Sequence, residues 1–188
     1  MFPSHDRGGR LSRALESIAI MCQERKVLNP ASGKYIRFRL AFVTLTLPQN
    51  LTQAQESQAQ STLLKPFLQH LIRRHGVSKY VWRLERTKAG RYHWHMVIDA
   101  AIHYKHIQNA WNRVLRVNRM LDQFAKDNGH YNPHSTEIKS IRKVDKSLKY
   151  MRKYLSKSEG ESESMMGRVW DAAMSVKRFV FPIVEFAI

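Results

Sequence analysis

The stretch KYVWRLERTKAGRYHWHMVID, residues Lys79 to Asp99, decides the fold because its pattern is typical of a β-hairpin. Two runs rich in aromatic and β-branched residues flank a short polar turn. The turn residues KAG, Lys88 to Gly90, fit a three-residue hairpin loop, whose last position is often left-handed and favours glycine. The sequence therefore predicts two antiparallel strands, and the length of the loop fixes how they pair.

The predicted register brings one acidic side chain and two histidines to the same face. With a three-residue loop, Glu85 lies directly across from His93, and Arg83 lies across from His95. Side chains alternate along a strand and directly opposed residues share a face, so Glu85, His93 and His95 are expected together. A register shifted by one residue would separate the glutamate from both histidines.

Two imidazoles and a carboxylate on one face form a three-ligand set for a metal ion. Such a set leaves coordination positions open for water or a phosphate oxygen. Mixed nitrogen and oxygen ligands suit Mn²⁺, and Mg²⁺ less well, while Zn²⁺ would also bind. The alternative is that His93 and His95 merely alternate on a half-exposed strand, with Glu85 paired to Arg83 or Arg86. The hairpin alone leaves both interpretations open.

The segments around the hairpin predict an α+β protein. The predicted elements are a strand over 35–48, a helix over 51–76, the hairpin, a helix over 102–126, a strand over 135–143, a helix over 144–157 and a final strand over 178–188. This order indicates helices packed against a mainly antiparallel sheet.

Two of these elements carry detailed local signals. In YIRFRLAFVTLTLP the apolar parity switches after Phe42, which indicates a bulge or a strand buried on both faces. In the helix that follows, Thr52 and Gln55 form a capping box. Pro66 is expected to kink or restart that helix, and Gly76 to end it.

The composition favours a polyanionic partner. The chain has 188 residues and a formal charge of +17, from 32 Lys and Arg against 15 Asp and Glu. Nucleic acid is the first partner to consider, and a generic basic protein such as a ribosomal one is the alternative.

Cys22 is the only cysteine, which excludes an internal disulfide and a multi-cysteine zinc site. The absence of a long apolar run or signal peptide predicts a soluble, cytoplasmic protein with no membrane partner.

The segment SLKYMRKYLSK, residues 147–157, carries a second chemical signal. Tyr150 and Tyr154 are four residues apart and project from one side of the predicted helix, with Lys153 and Lys157 on a neighbouring stripe. A phenol can attack phosphorus, and nearby cations favour the phenolate and neutralise phosphate charge. The alternative is that the tyrosines border the core and the lysines form a solvated basic face.

FVTLTLP, ERTKAGRYHWHMVID and YMRKYLSK, in this order, resemble the three motifs of the HUH rolling-circle replication initiators. These are metal-dependent single-strand DNA nickases of plasmids and phages. The resemblance covers residues 42–157, and the repeated Tyr-x-x-Lys is similar to the two-tyrosine branch, including initiators of some bacteriophages. It implies a ferredoxin-like or RRM-like five-stranded sheet, with the histidines on a central strand and the tyrosine helix packed alongside.

The resemblance also implies the roles of single residues. It assigns Mn²⁺ or Mg²⁺ as cofactor, with Glu85, His93 and His95 as its ligands. It assigns catalytic roles to Tyr150, Tyr154, Lys153 and Lys157. A tyrosine oxygen would attack the scissile phosphate and give a 5′-phosphotyrosine and a free 3′-OH, so no nucleotide cofactor is needed. The tyrosine that attacks first is left open.

The implied partner is single-stranded DNA at an origin or hairpin, and the lack of a P-loop pattern predicts that a host helicase assists replication. The predicted DNA-binding residues are Arg83, Arg86, Lys88, Arg91, Lys149 and Arg152. Trp82 and Tyr92 are candidates for base stacking, whereas Trp94 points away from the histidines and is expected in the core. The N-terminal arginines Arg7, Arg10 and Arg13 are a hypothetical duplex-DNA contact.

The predicted domains are a basic N-terminal arm over 1–34, an HUH nickase domain over 35–160 and a C-terminal extension over 161–188 that packs on it. One alternative function is a transposase or relaxase of the same superfamily. Another is a non-catalytic nucleic-acid-binding protein with a fold like the RNA-recognition modules, which carry aromatic residues on the sheet instead of this carboxylate and its histidines.

Overall fold

The computed structural model describes residues 7–29, 32–48, 50–86, 90–141 and 169–180. The strands in these residues are β1 (Arg25–Leu28), β2 (Tyr35–Phe38), β3 (Leu40–Thr46), β4 (Tyr80–Arg86), β5 (Tyr92–Ile98), β6 (Thr136–Ile141) and β7 (Trp170–Ala172). The helices are α1 (Arg7–Met21), α2 (Gln53–Ala59), α3 (Lys65–His75), α4 (Tyr104–Val117), α5 (Asp122–Asn128) and α6 (Met174–Lys177).

A five-stranded antiparallel sheet with the strand order β6-β3-β5-β4-β7 organises the fold. The strand that carries the two histidines, β5, lies at its centre. β1 and β2 form a separate two-stranded sheet. The predicted α+β class, with helices flanking a central antiparallel sheet, is confirmed.

The two faces of the sheet are covered by different helices. On the back face, side chains such as Leu45 and Trp94 pack with α2, α3 and α4 in the larger core cluster. On the front face, Phe42, Val81 and Val97 pack with α1 and α6 in a second cluster. These apolar contacts lie at one end of the front face, and the histidines of β5 point to the same face further along the strand.

The parity switch in the first predicted strand has a structural cause. β3 is buried on both faces at its start because helices cover both sides of the sheet there, as one of the two interpretations predicted. A single continuous strand from residue 35 is wrong, since Arg39 separates β2 from β3. The Arg39 guanidinium donates to the carbonyls of Ala19 and Cys22 at the end of α1, where partial negative charge favours a cation.

The helix signals between β3 and β4 are confirmed. Thr52 and Gln55 form the predicted capping box at the start of α2. A π-helical turn, Gln60–Leu64, joins α2 to α3, and Pro66 lies in the first turn of α3, where a missing N–H costs little. Gly76 ends α3 in the left-handed conformation, with φ of 65°.

The predictions for the last third of the chain have mixed outcomes. The strand expected over 135–143 is confirmed as β6. The final strand expected over 178–188 is wrong for residues 178–180, which are not in a strand, and its remaining residues lie outside the described ones. The fifth strand of the sheet is β7 instead, because Trp170 and Ala172 pair with Arg83 and Val81 of β4.

The boundaries of the predicted domains stay a prediction. Part of the proposed N-terminal arm forms α1, whose Leu15 and Ile18 are fully buried against the front face. Among the described residues, no helix has the length and apolar character needed to cross a membrane.

Candidate active site

The hairpin has the register that its sequence predicted. Glu85 lies across from His93, and Arg83 across from His95. Gly90 adopts a φ of 81°, the left-handed conformation expected at the end of the turn. The carboxylate and the two imidazoles therefore share the front face, as a direct consequence of strand alternation.

The His95 ring is fixed by contacts on three sides. Its Nε2–H donates to Oε2 of Glu85 at 2.6 Å, and its Nδ1 lies 3.2 Å from the hydroxyl of Thr44 on the neighbouring strand. The Phe42 ring stacks against it with centroids 5.6 Å apart. The first motif, FVTLTLP, therefore supplies two residues, Phe42 and Thr44, that orient this histidine.

Electrostatics keep the Glu85 carboxylate charged. The hydrogen bond from His95 lowers the pKa of Glu85 most, and the charges of His95, His93 and Arg83 lower it further against the opposing effect of burial. Burial lowers the pKa of His93, as does the charge of His95, while Glu85 acts in the opposite direction. The lowered pKa favours the neutral form of His93, which is the form that binds metal ions, beside the charged carboxylate of Glu85.

Carboxylates and imidazoles are donor groups that divalent metal ions accept, but the side chains of Glu85, His93 and His95 do not converge on one point. Glu85 is bonded to His95, and the His93 and His95 ring centroids are 6.1 Å apart. Within the described ranges no group of three or more His, Cys, Asp or Glu side chains is arranged to hold a metal ion. In this arrangement Nε2 of His95 carries the hydrogen that Glu85 accepts, so metal binding through Nε2 would require this hydrogen bond to break and Nδ1 to hold the proton and donate it to Thr44.

The other predicted site residues occupy different environments. Arg83 is buried on the front face beside Glu85, with 5% of its surface exposed. Arg86 is half-buried with its guanidinium 5.7 Å from the Tyr92 ring, and Arg91 is exposed. Seven predicted site residues lie outside the part of the chain that the structure describes: Lys88, Lys149, Tyr150, Arg152, Lys153, Tyr154 and Lys157.

The prediction that Trp82 and Tyr92 stack bases is wrong. Both side chains point to the back face and are buried in the core, as is Trp94, for which the core position was expected. Burial and a hydrogen bond with Glu56 raise the pKa of Tyr92 to about 12, so this phenol stays protonated.

Trp170 is a front-face aromatic residue that the sequence did not single out. It is half-buried on β7 and pairs with Arg83, which in turn lies across from His95. Together with Arg10, Arg13 and other residues it lines a cavity of about 530 Å³ between α1 and the C-terminal segment. Its strand, β7, has three residues, too few for a periodic pattern in the sequence.

Three comparisons with known proteins bear on the chain. A family model described as replication-associated protein ORF2 matches residues 40–159. The crystal structure of the hypothetical protein ORF119 from Sulfolobus islandicus rod-shaped virus 1 aligns with a TM-score of 0.43 and 11% identity, over 79% of this chain and 93% of that chain. No curated protein matches the sequence.

Proposed function

The chain belongs to the replication-associated protein ORF2 family, and from this premise we propose that it nicks and rejoins single-stranded DNA, with a divalent metal ion, to initiate rolling-circle replication. The observation that carries the proposal is the placement of Glu85, His93 and His95 on one face of the central strands, inside the matched region. The segment with Tyr150 and Tyr154 lies in the same region.

The front-face residues would hold Mn²⁺ or Mg²⁺ through Glu85, His93 and His95. When bound, the ion would supply Lewis-acid polarisation of the scissile phosphate. Thr44 would hold the His95 ring in its orientation, and Glu85 would stay charged because His95 and Arg83 lower its pKa.

The bond changes are those of a transesterification. The phenol of Tyr150 or Tyr154 loses its proton, its oxygen forms a bond to phosphorus, and the bond from phosphorus to the 3′ oxygen breaks. The 3′ oxygen takes a proton, and the DNA is left as a 5′-phosphotyrosine on the protein. Attack by a 3′-OH reverses the step, so rejoining needs no nucleotide cofactor. Lys153 and Lys157 would neutralise the charge on the phosphate.

The paired tyrosines suit a two-step replication cycle. One tyrosine can keep the first DNA end while the other cleaves the regenerated origin. In the proposed reaction the protein binds a specific sequence at an origin or hairpin. A host helicase separates the strands. The charge of +17 favours binding to the DNA backbone before any base is recognised.

Covalent adduct formation tests the proposal. The full-length chain is incubated with a labelled pool of random single-stranded oligonucleotides and Mn²⁺, and the products are separated on a denaturing gel. The parent should give a metal-dependent shifted band, which His93→Ala and the double variant Tyr150→Phe/Tyr154→Phe should lose. Tyr35→Phe is the matched control, because this tyrosine is exposed on β2 away from the site.

The single tyrosine variants show which phenol attacks first. Lack of an adduct with the parent across Mn²⁺, Mg²⁺ and hairpin substrates would contradict the nickase. If the protein then still bound DNA tightly, the result would favour the non-catalytic nucleic-acid-binding function.

A further inference from the structure

The two longest helices on the back of the sheet, α3 and α4, carry positive charge without any compensating carboxylate. Three cations lie in each helix, and neither helix contains an Asp or Glu. All six side chains are exposed, and they are Lys65, Arg73, Arg74, Lys105, Arg113 and Arg116. No salt bridge within either helix can therefore neutralise these cations, and their exposure makes them accessible to a partner outside the chain.

A groove between α3 and α4 concentrates this charge. Arg73, Arg74 and Arg113 line it, and Ala110 and Val114 contribute apolar surface. Its volume is about 580 Å³. The described residues that line it include no Phe, Tyr or Trp, the side chains on which single-stranded bases usually stack. The lining therefore suits a phosphate backbone better than an unpaired base.

A chain of imidazoles borders the same surface. The His70 and His75 ring centroids are 5.8 Å apart, and those of His75 and His106 are 5.6 Å apart. The positive charges of Arg74 and Arg113 lower the pKa of His70. These groups all repel one another when charged, and a polyanion on the groove would relieve that repulsion.

We propose that the α3–α4 surface, defined by Arg73, Arg74, Arg113 and the bordering imidazoles, binds the phosphate backbone of duplex DNA. The helix α4 has 14 residues and is roughly 21 Å long, and a duplex segment of that length carries about twelve phosphates. The charge and the length of the surface therefore match a short segment of duplex.

The position of this surface separates it from the candidate active site. α3 and α4 pack on the back face, whereas Glu85, His93 and His95 lie on the front face. This assignment rests on the proposed nickase function. The single strand would lie on the front face of the sheet, and the neighbouring duplex would lie on the back face. The chain would hold both while the strand is cut.

Fluorescence anisotropy with a 20-base-pair blunt duplex of arbitrary sequence tests the surface. The full-length parent is compared with Arg73→Gln/Arg74→Gln/Arg113→Gln over a range of salt concentrations. Each lost phosphate contact lowers the slope of log K against log salt by about 0.9, so the slope should fall by about three. Affinity at 0.1 M salt should fall by about tenfold or more.

A variant with the same loss of charge elsewhere is the control. Lys26→Gln/Lys34→Gln/Arg37→Gln removes three exposed cations from β1, β2 and the turn between them, and should keep nearly the parental duplex affinity. Circular dichroism checks that both variants are folded. Equal losses in the two variants, or no loss in the α3–α4 variant, would overturn the proposal.

Adduct formation on an unstructured single-stranded oligonucleotide keeps the two proposals apart. The α3–α4 variant should form the covalent adduct as the parent does, because its substitutions lie behind the sheet. A parent without an adduct contradicts the nickase and leaves the duplex measurement valid. A folded parent that does not bind duplex contradicts only the α3–α4 surface.

Discussion

Thr44 and His95 lie directly across from each other on β3 and β5, and the Thr44 hydroxyl is 3.2 Å from Nδ1 of the imidazole. This contact comes from the antiparallel register of two central strands. It leaves Nε2 of His95 on the side of Glu85, at 2.6 Å from the carboxylate. The contact between Thr44 and His95, two residues far apart in sequence, thus determines which ring nitrogen of His95 faces the proposed metal site.

Thr44→Val should lower the affinity of the site for the metal ion while leaving the fold intact. Valine keeps the shape of threonine but removes the hydroxyl, and loss of such a partner lowers metal affinity about 10- to 100-fold. The Mn²⁺ concentration needed for half-maximal adduct formation should rise by that factor, with a normal thermal unfolding curve. Thr46→Val is the control, since Thr46 lies two residues along the same face, across from His93. Equal shifts in both variants would contradict an orienting role for Thr44.

Gly90→Ala should destabilise the hairpin by about 1–2 kcal/mol, because an L-residue at a φ of 81° is strained. A Cβ there would lie 3.4 Å from Nδ2 of Asn50, an ordinary van der Waals contact, so the expected loss comes from the backbone conformation. Urea unfolding measures the loss. Gly129→Ala should lose a similar amount, because its φ is 73° and a Cβ there meets nothing within 4 Å, so it measures the backbone strain alone. A Gly90 variant as stable as the parent would show that the turn can change its conformation.

The hairpin and its site were predictable because local rules determined them. Turn length fixed the pairing of Glu85 with His93, and strand alternation then put His95 on the same face. The capping box at Thr52 and the end of α3 at Gly76 also follow from interactions between residues close in sequence.

The missed features depend on contacts between distant segments. β1 has only four residues and β7 three, too few for a periodic pattern, and each becomes a strand through its partner. The orienting role of Thr44 needs the pairing of β3 with β5, which no local pattern contains. The burial of Tyr92 and Trp82 follows from which face the helices cover, and alternation alone does not decide that.

Trp170→Ala should reduce affinity for single-stranded DNA. Trp170 is half-buried on the front face, two strands from His95, and lines a cavity with Arg10 and Arg13. Stacking of one base on an aromatic ring contributes about 1–3 kcal/mol, so the dissociation constant should rise roughly 5- to 150-fold. Trp170→Phe should keep most of the affinity. If Trp170→Ala binds an oligonucleotide as the parent does, the cavity is not a base site.

Duplex binding by the α3–α4 surface should strengthen as the pH falls. Burial lowers the pKa of His70, with Arg74, Arg113 and His106 adding to the effect. Burial also lowers the pKa of His75, and the charges of His106, His70 and Arg74 lower it further. Phosphates beside these imidazoles favour the protonated form and raise both pKa values, so binding takes up protons. Affinity should therefore rise between pH 8 and about pH 5.5, across the ordinary histidine range.

The same shifts give the free protein the opposite pH dependence. Because the unfolded chain protonates His70 and His75 more readily than the folded chain does, stability should fall as the pH drops below about 6.5. Anisotropy at constant ionic strength, with a thermal unfolding curve at each pH, measures both effects. His70→Gln/His75→Gln/His106→Gln should flatten the pH dependence of binding, whereas His130→Gln, on an imidazole packed against Phe124, should not. An unchanged pH profile in the triple variant would show that the imidazoles do not contact the DNA backbone.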